Sequence, residues 1–174
     1  MDVMAVSLTI RKAVKTDMEI VFKVVNEAYR VTVGNTGDAF KTCNRFLNID
    51  EVEQMLDILW VGELGSEIVG VVGIEVMSDQ VNIGPLAVSK KCQKQGIGGK
   101  LLDKAEAQGV VASAQVMSLR SSVLAMYLNR GYQEVKEVPV VKFFTLHHQL
   151  DKDPLHRLSR HDLTVKYLQK KKNT

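Results

Sequence analysis

Apolar and polar positions alternate in two different periods along the chain, and each change of period marks an element. Leu8, Ile10 and Lys12 alternate with Thr9 and Arg11, which predicts a strand over residues 7–13. Thr16-Asp17-Met18-Glu19 has the form of a capping box. A helix is expected from there to residue 29, with Ile20, Val21, Val24, Val25 and Ala28 facing inward. Gly34 and Gly37 interrupt the following segment, which reads as an irregular loop or as a loop with a short helix over 39–46. A second helix is expected over 49–59, with Val52, Met55, Leu56 and Leu59 on one face. Strands follow at 60–64 and 68–76, joined by the Gly-first pair Gly65-Ser66.

After a turn at Asp79-Gln80 the segment IGPLAV reads as a buried strand. Next comes a glycine-rich loop, then a helix with Ile97, Leu101, Leu102 and Ala105 on its buried face. A fifth strand is expected around 115–119. A short helix over 122–130 would be capped by Ser121 or Ser122, with Val123, Leu124 and Tyr127 inward and Gly131 as its left-handed stop. Strands at 132–135 and 141–150, with Pro139 between them, complete the expected order. A strand, crossover helix and parallel strand around the glycine loop imply a mixed sheet.

The 174 residues suit one domain with a substantial core, and 45% hydrophobic with 25% charged residues is an ordinary globular composition. No apolar run is long enough to span a bilayer, and the N-terminus lacks the pattern of a signal peptide, so a cytoplasmic protein is expected. Cys43 and Cys92 fit no metal or redox spacing; His156 and His161 match no ligand pair, and His147 and His148 would point to opposite faces of a strand. No metal is expected. From Asp151 onward seven Lys or Arg face three Asp, which marks residues 151–174 as a basic C-terminal extension to a single domain over 1–150.

The chemistry concentrates between the fourth strand and the helix after it. Gln93, Gly96 and Gly98 form Q-x-x-G-x-G at a helix start, where backbone N–H groups lack intrahelical partners and the helix dipole is positive. A phosphate is the natural ligand there, with Lys91, Lys94 and Lys100 adding mobile positive charge. A Walker loop is excluded because Gly99-Lys100 is preceded at the required spacing by Lys94 and followed by Leu101. A dinucleotide fingerprint is excluded because Gly96-Ile97-Gly98 would have to continue to a glycine where Leu101 stands. Pro85 cannot donate a ladder hydrogen bond, so the fourth strand is expected to bulge at Gly84-Pro85 and part from a neighbour.

LAV before the turn, Gln93-x-x-Gly96-x-Gly98, and Tyr127-x-x-x-Gly131-Tyr132 come in an order and spacing that resembles the GNAT superfamily of N-acyltransferases over most of residues 6–150. The resemblance implies a mixed α/β fold of GNAT type: a mostly antiparallel sheet of about seven strands, splayed between strands 4 and 5 and flanked by helices. It implies acetyl-CoA (coenzyme A) as the cofactor. The backbone of Leu86, Ala87 and Val88 would pair with the pantetheine arm. The loop Gln93, Lys94, Gln95, Gly96, Ile97, Gly98, Gly99 and Lys100 would hold the pyrophosphate. Tyr127 would stand near the thioester sulfur as general acid.

The implied activity is acetyl transfer to a primary amine of a small molecule or peptide by direct attack. Tyr29 and Arg30, which lead into the glycine-interrupted loop, are assigned with it to the acceptor. Two departures stand out. Where some members carry a glutamate base, eleven residues before the Q/R position, this chain has Asn82, which leaves Glu75 as the candidate base, acting through water that Asn82 positions. Arg120 stands where many members have asparagine, seven residues before the tyrosine. A catalytically idle acyl-CoA-binding or scaffold domain is the alternative that Asn82 suggests, and a nucleic-acid partner is the alternative that the basic tail suggests; no nucleic acid or membrane partner is expected. Homodimers are common in the family, and nothing in the sequence requires one here.

Overall fold

Stretches of alternating and β-branched residues pair into one sheet in the computed structural model, which describes residues 7–30, 45–117, 120–139 and 164–172. In chain order the elements are β1 (Leu8–Lys12), α1 (Met18–Arg30), α2 (Ile49–Met55), β2 (Leu59–Leu64), β3 (Glu67–Met77), β4 (Gln80–Val88), α3 (Ile97–Glu106), β5 (Val111–Met117), α4 (Ser121–Asn129), β6 (Gln133–Pro139) and β7 (Thr164–Lys171). The sheet order is β1-β2-β3-β4-β5-β7-β6. Its pairs are antiparallel except β4 with β5, which run parallel because α3 crosses between them. The mixed, mostly antiparallel sheet flanked by helices is the architecture expected from the sequence.

Each face of the sheet buries its own core. On one face Val72, Ile74, Val81, Ile83, Ala112 and Ala114 pack with Ile97, Leu101 and Leu102 of α3 and Tyr127 of α4. On the other, Val61, Val71 and Ala87 pack with Val21, Val24 and Val25 of α1 and Val52 of α2. Ile83 and Ala87 are four residues apart in one strand, yet they belong to opposite faces. An unbroken strand would put both on the same side. The cause is the expected bulge: Ile74 pairs with Ile83 and Val72 with Leu86, so Gly73 alone stands opposite Gly84 and Pro85. The Gly84-Pro85 peptide is cis, and Gly84 has φ 151°, which a side chain would oppose.

Several boundaries moved for local reasons. The start of α1 is held by Asp17 and not by Thr16: the Asp17 carboxylate accepts the Val14 N–H at 2.8 Å and is gripped by Arg11 at 2.7 Å. Ile20, expected inside, is 44% exposed. The helix expected over 49–59 stops at Met55 and tightens into a single turn, because Ala13 N–H binds the Leu59 carbonyl at 2.9 Å and draws Leu59 into β2. β5 begins at Val111 and not near 115, since Gln80–Ile83 of β4 pair with 111–114 despite the small residues there. Arg120 occupies the cap position of α4, where Ser121 or Ser122 was expected, and Ser121 is already helical.

The strand expected at 132–135 extends to Pro139 at the sheet edge, and the one expected at 141–150 lies outside the described residues, as do the acceptor loop, Cys43 and all four histidines. The last strand of the sheet comes from the stretch read as a basic extension. β7 inserts between β5 and β6, with Val165 and Leu168 buried. Its charge hid it: Lys166 pairs with Glu134 at 2.9 Å and Lys170 with Glu106 at 3.0 Å, so these lysines are neutralised within the fold.

A methyl group at Gly73 would collide with the Gly84 carbonyl and the Pro85 ring. Gly73→Ala is expected to cost at least about 1–3 kcal/mol, read as a lowered midpoint in chemical denaturation. An unchanged midpoint would show that the bulge is not tightly packed.

Candidate functional site

The bulge leaves a fork in the sheet. β4 and β5 pair over only four positions, ending at Ile83 with Ala114, after which both strands continue without pairing to each other. Leu86, Ala87 and Val88 therefore keep their ladder to β3 on one edge and turn the other toward a cavity of about 790 Å³. Val123 and Met126 of α4, with Arg130 at its C-terminal cap, form the facing wall, Ala28 of α1 contributes at one side, and Gly96, Ile97, Gly98 and Gly99 form one end.

That end is built as an anion cradle. Gly96 caps α3 in the left-handed conformation at φ 78°, and its carbonyl accepts the Lys100 N–H at 3.1 Å as the first bond of the helix. The N–H groups of Ile97, Gly98 and Gly99 thus belong to the unpartnered first turn. A methyl at Gly98 would meet nothing closer than Val88 at 3.7 Å, so internal packing does not demand glycine there.

The motif residues divide their labour. Gln93 lines the cavity but its amide donates to the Val88 carbonyl at 3.1 Å, fixing the loop against the end of β4. Gln95 likewise donates to Lys91 O at 3.3 Å. Lys91 is not the mobile charge expected: it pairs with Glu67, which raises its pKa, while Lys94 and Lys100 are exposed.

Arg130 is the residue that the sequence reading missed. It lines the cavity, with Nη1 beside Gly99, and its other nitrogens are held by Asp103 at 2.7 Å and Glu106 at 3.1 Å of α3. Its position one residue before Gly131 was the available signal. Burial alone would push the Glu106 carboxyl up, but hydrogen bonds from Arg130 and Lys170 outweigh it and hold the carboxyl below its ordinary value. Glu106 also accepts the Tyr132 hydroxyl at 3.1 Å, so one carboxylate ties α3 to α4, β7 and the residue preceding β6.

The expected catalytic residues lie around the fork and do not line the cavity. Tyr127 is 3% exposed, packed edge to face on Tyr132 with ring centres 4.9 Å apart. Burial raises its pKa, the neighbouring Tyr29 adds to the rise, and Arg120 opposes it. Glu75 and Asn82 are cross-strand partners just below the fork, and the Asn82 amide donates to Glu75 at 3.3 Å. Gln80 in turn donates to Asn82 at 3.1 Å and to Ser113 at 2.9 Å, so this polar row crosses β3, β4 and β5. Tyr29 meets the Arg120 guanidinium at 4.2 Å, and Arg30 ends α1. Among the described residues no group of three His, Cys, Asp or Glu could hold a metal.

Comparison with known proteins places the fold. Residues 56–134 match the family model "Acetyltransferase (GNAT) domain". No curated protein matches the chain by sequence. Among solved structures, the ribosomal-protein-S18-alanine N-acetyltransferase of Escherichia coli is similar at 13% identity and TM-score 0.67, covering 94% of this chain and 92% of that one. The paia N-acetyltransferase of Thermoplasma acidophilum, in complex with coenzyme A, is similar at 16% identity and TM-score 0.66, covering 95% and 99%. yncA of Salmonella typhimurium, with its cofactor acetyl-CoA, is similar at 17% identity and TM-score 0.66, covering 97% and 95%.

Glu106→Gln is expected to destabilise the protein by about 1–3 kcal/mol near neutral pH. A depressed carboxyl pKa contributes stability above the unfolded value of about 4.3 and loses it as pH falls through the folded value, so the variant's acid limb should be flatter. Melting curves from pH 7 to pH 3 check both; parallel limbs would show that Glu106 is not the coupled group.

Proposed function

We propose, with residues 56–134 as a GNAT acetyltransferase domain, that the protein is an N-acetyltransferase transferring the acetyl group of acetyl-CoA to a primary amine. One observation carries the reading: the fork beyond Ile83 and Ala114 opens onto a cavity whose end is the glycine-capped start of α3. A free strand edge beside a row of unpaired N–H groups suits a molecule with an amide-bearing arm and a diphosphate, as in coenzyme A.

In this reading Leu86, Ala87 and Val88 hold the arm as an added strand. Ile97, Gly98 and Gly99 donate to the diphosphate, and Arg130 Nη1 adds a cation already oriented by two carboxylates. Bound acetyl-CoA supplies an activated acetyl thioester. A backbone N–H on β4 above the fork stabilises negative charge on the carbonyl oxygen as the amine attacks. Tyr127, which lies beside the fork and outside the cavity lining, would give its proton to the departing sulfur where the bound thioester reaches past that lining; burial raises its pKa and so favours the protonated form. Glu75, oriented by Asn82, takes the amine proton through water.

The idle-domain alternative rests on Asn82 in place of a carboxylate, and thiol release separates it from an enzyme. The nucleic-acid alternative is weakened by the ion pairs of Lys166 and Lys170. Among the described residues no helix is long and apolar enough to cross a membrane.

Calorimetric titration with acetyl-CoA and a free-thiol release assay over an amine panel test the proposal; no heat at saturating ligand would sink it. Tyr127→Phe should lower kcat by about 10²–10⁴-fold with acetyl-CoA binding intact, and an unchanged kcat would remove the acid role. Arg130→Gln should weaken acetyl-CoA about tenfold, equivalent to one charge-assisted hydrogen bond.

A further inference from the structure

Two arginines line the cavity, and they differ in how their charge is met. Arg130 is compensated by Asp103 and Glu106. Among the described residues Arg120, at the cap of α4, has no carboxylate, and its buried Nε has no hydrogen-bond partner. A buried guanidinium nitrogen left unpaired is costly, so such a group marks a place where an acceptor arrives from outside. Its plane is not loose. The guanidinium carbon sits 4.2 Å from the centre of the Tyr29 ring near the end of α1, a cation–π contact that fixes where the group sits.

Position narrows what that acceptor is. The diphosphate has its donors at the other end, in the first turn of α3 with Arg130 beside it. Arg120 instead stacks on α1, the helix that covers the opposite face of the sheet and whose Ala28 reaches the same cavity. Among the described residues that line the cavity with it, none is Asp or Glu. A planar fork of N–H donors matches a carboxylate with two parallel bonds. We propose that Arg120 is a specificity-determining residue that binds a carboxylate on the acceptor, so that the amine acetylated is one carried by an amino acid. This rests on the acetyltransferase reading and adds the substrate class to it.

The test compares free amino acids with their amides in thiol release, alongside Arg120→Gln and acetyl-CoA calorimetry. The wild type should favour the acids by about ten- to a hundredfold in kcat/KM, one or two charge-assisted hydrogen bonds. Arg120→Gln should erase that preference through KM and leave acetyl-CoA affinity unchanged, with Arg120→Lys restoring part of it. Equal turnover of acids and amides by the wild type overturns the proposal, and that comparison stands even where the variant fails to fold. Loss of acetyl-CoA affinity in Arg120→Gln equal to the loss for acids also overturns it, by assigning the guanidinium to the cofactor. Absence of both acetyl-CoA heat and thiol release defeats the enzyme reading instead. The carboxylate site is then decided by melting the coenzyme-A-loaded protein with the same acids and amides: stabilisation by acids that Arg120→Gln abolishes supports it, and equal effects overturn it.

Discussion

The packing of Gly73 against Gly84 and Pro85 is the constraint from which the site follows. One residue of β3 faces two of β4, and that count reverses which side chains of β4 point to which helix layer. Below the bulge Val81 and Ile83 belong to the α3 face; above it Ala87 belongs to the α1 face. The same step carries β4 out of hydrogen-bonding distance of β5. An apolar cavity and a row of available backbone groups thus arise from one local irregularity, without any loss of core on either side.

A second device holds the walls of the cavity in place. Glu106 gathers Arg130, Lys170 and the Tyr132 hydroxyl, and Asp103 takes the other end of Arg130. The helix that presents the glycine loop and the helix that faces it are therefore tied through one carboxylate, with β7 joined to the same point. Because Arg130 is neutralised by protein groups, it can sit beside the loop without a ligand; Arg120 has no such compensation among the described residues. The two arginines thus differ in what holds them: Arg130 is oriented by two carboxylates with Nη1 left beside the loop, and Arg120 is held by the Tyr29 ring.

Local rules failed where a distant residue intervened. Thr16 was a good cap by spacing, but Val14 takes the cap position, its N–H bound by an Asp17 carboxylate that Arg11 holds while reaching Glu63 at 2.6 Å across the sheet. Leu59 has helical spacing with Val52 and Leu56, yet its carbonyl is claimed by Ala13 from β1. Lys166 and Lys170 look like a solvated tail until Glu134 and Glu106, far earlier in the chain, are placed against them. In each case a long-range ion pair or ladder bond outweighed a propensity worth less than about 1 kcal/mol per residue.

By itself the sequence determined the features whose physics is local. Glycines at a helix start, a proline in a strand, and a tyrosine four residues before a stop glycine announce the cradle, the bulge and the α4 turn, because backbone conformation at these positions depends on the residue itself. Tertiary structure alone decided which charges are spent. Whether Lys91, Arg130, Lys170 or Arg120 is compensated depends on carboxylates brought near by folding, and no periodicity encodes that distance. It also decided that Tyr127 is buried while Val123 and Met126 of the same helix line the cavity, since helical spacing gives a residue's neighbours but not the direction in which the helix rolls against the sheet.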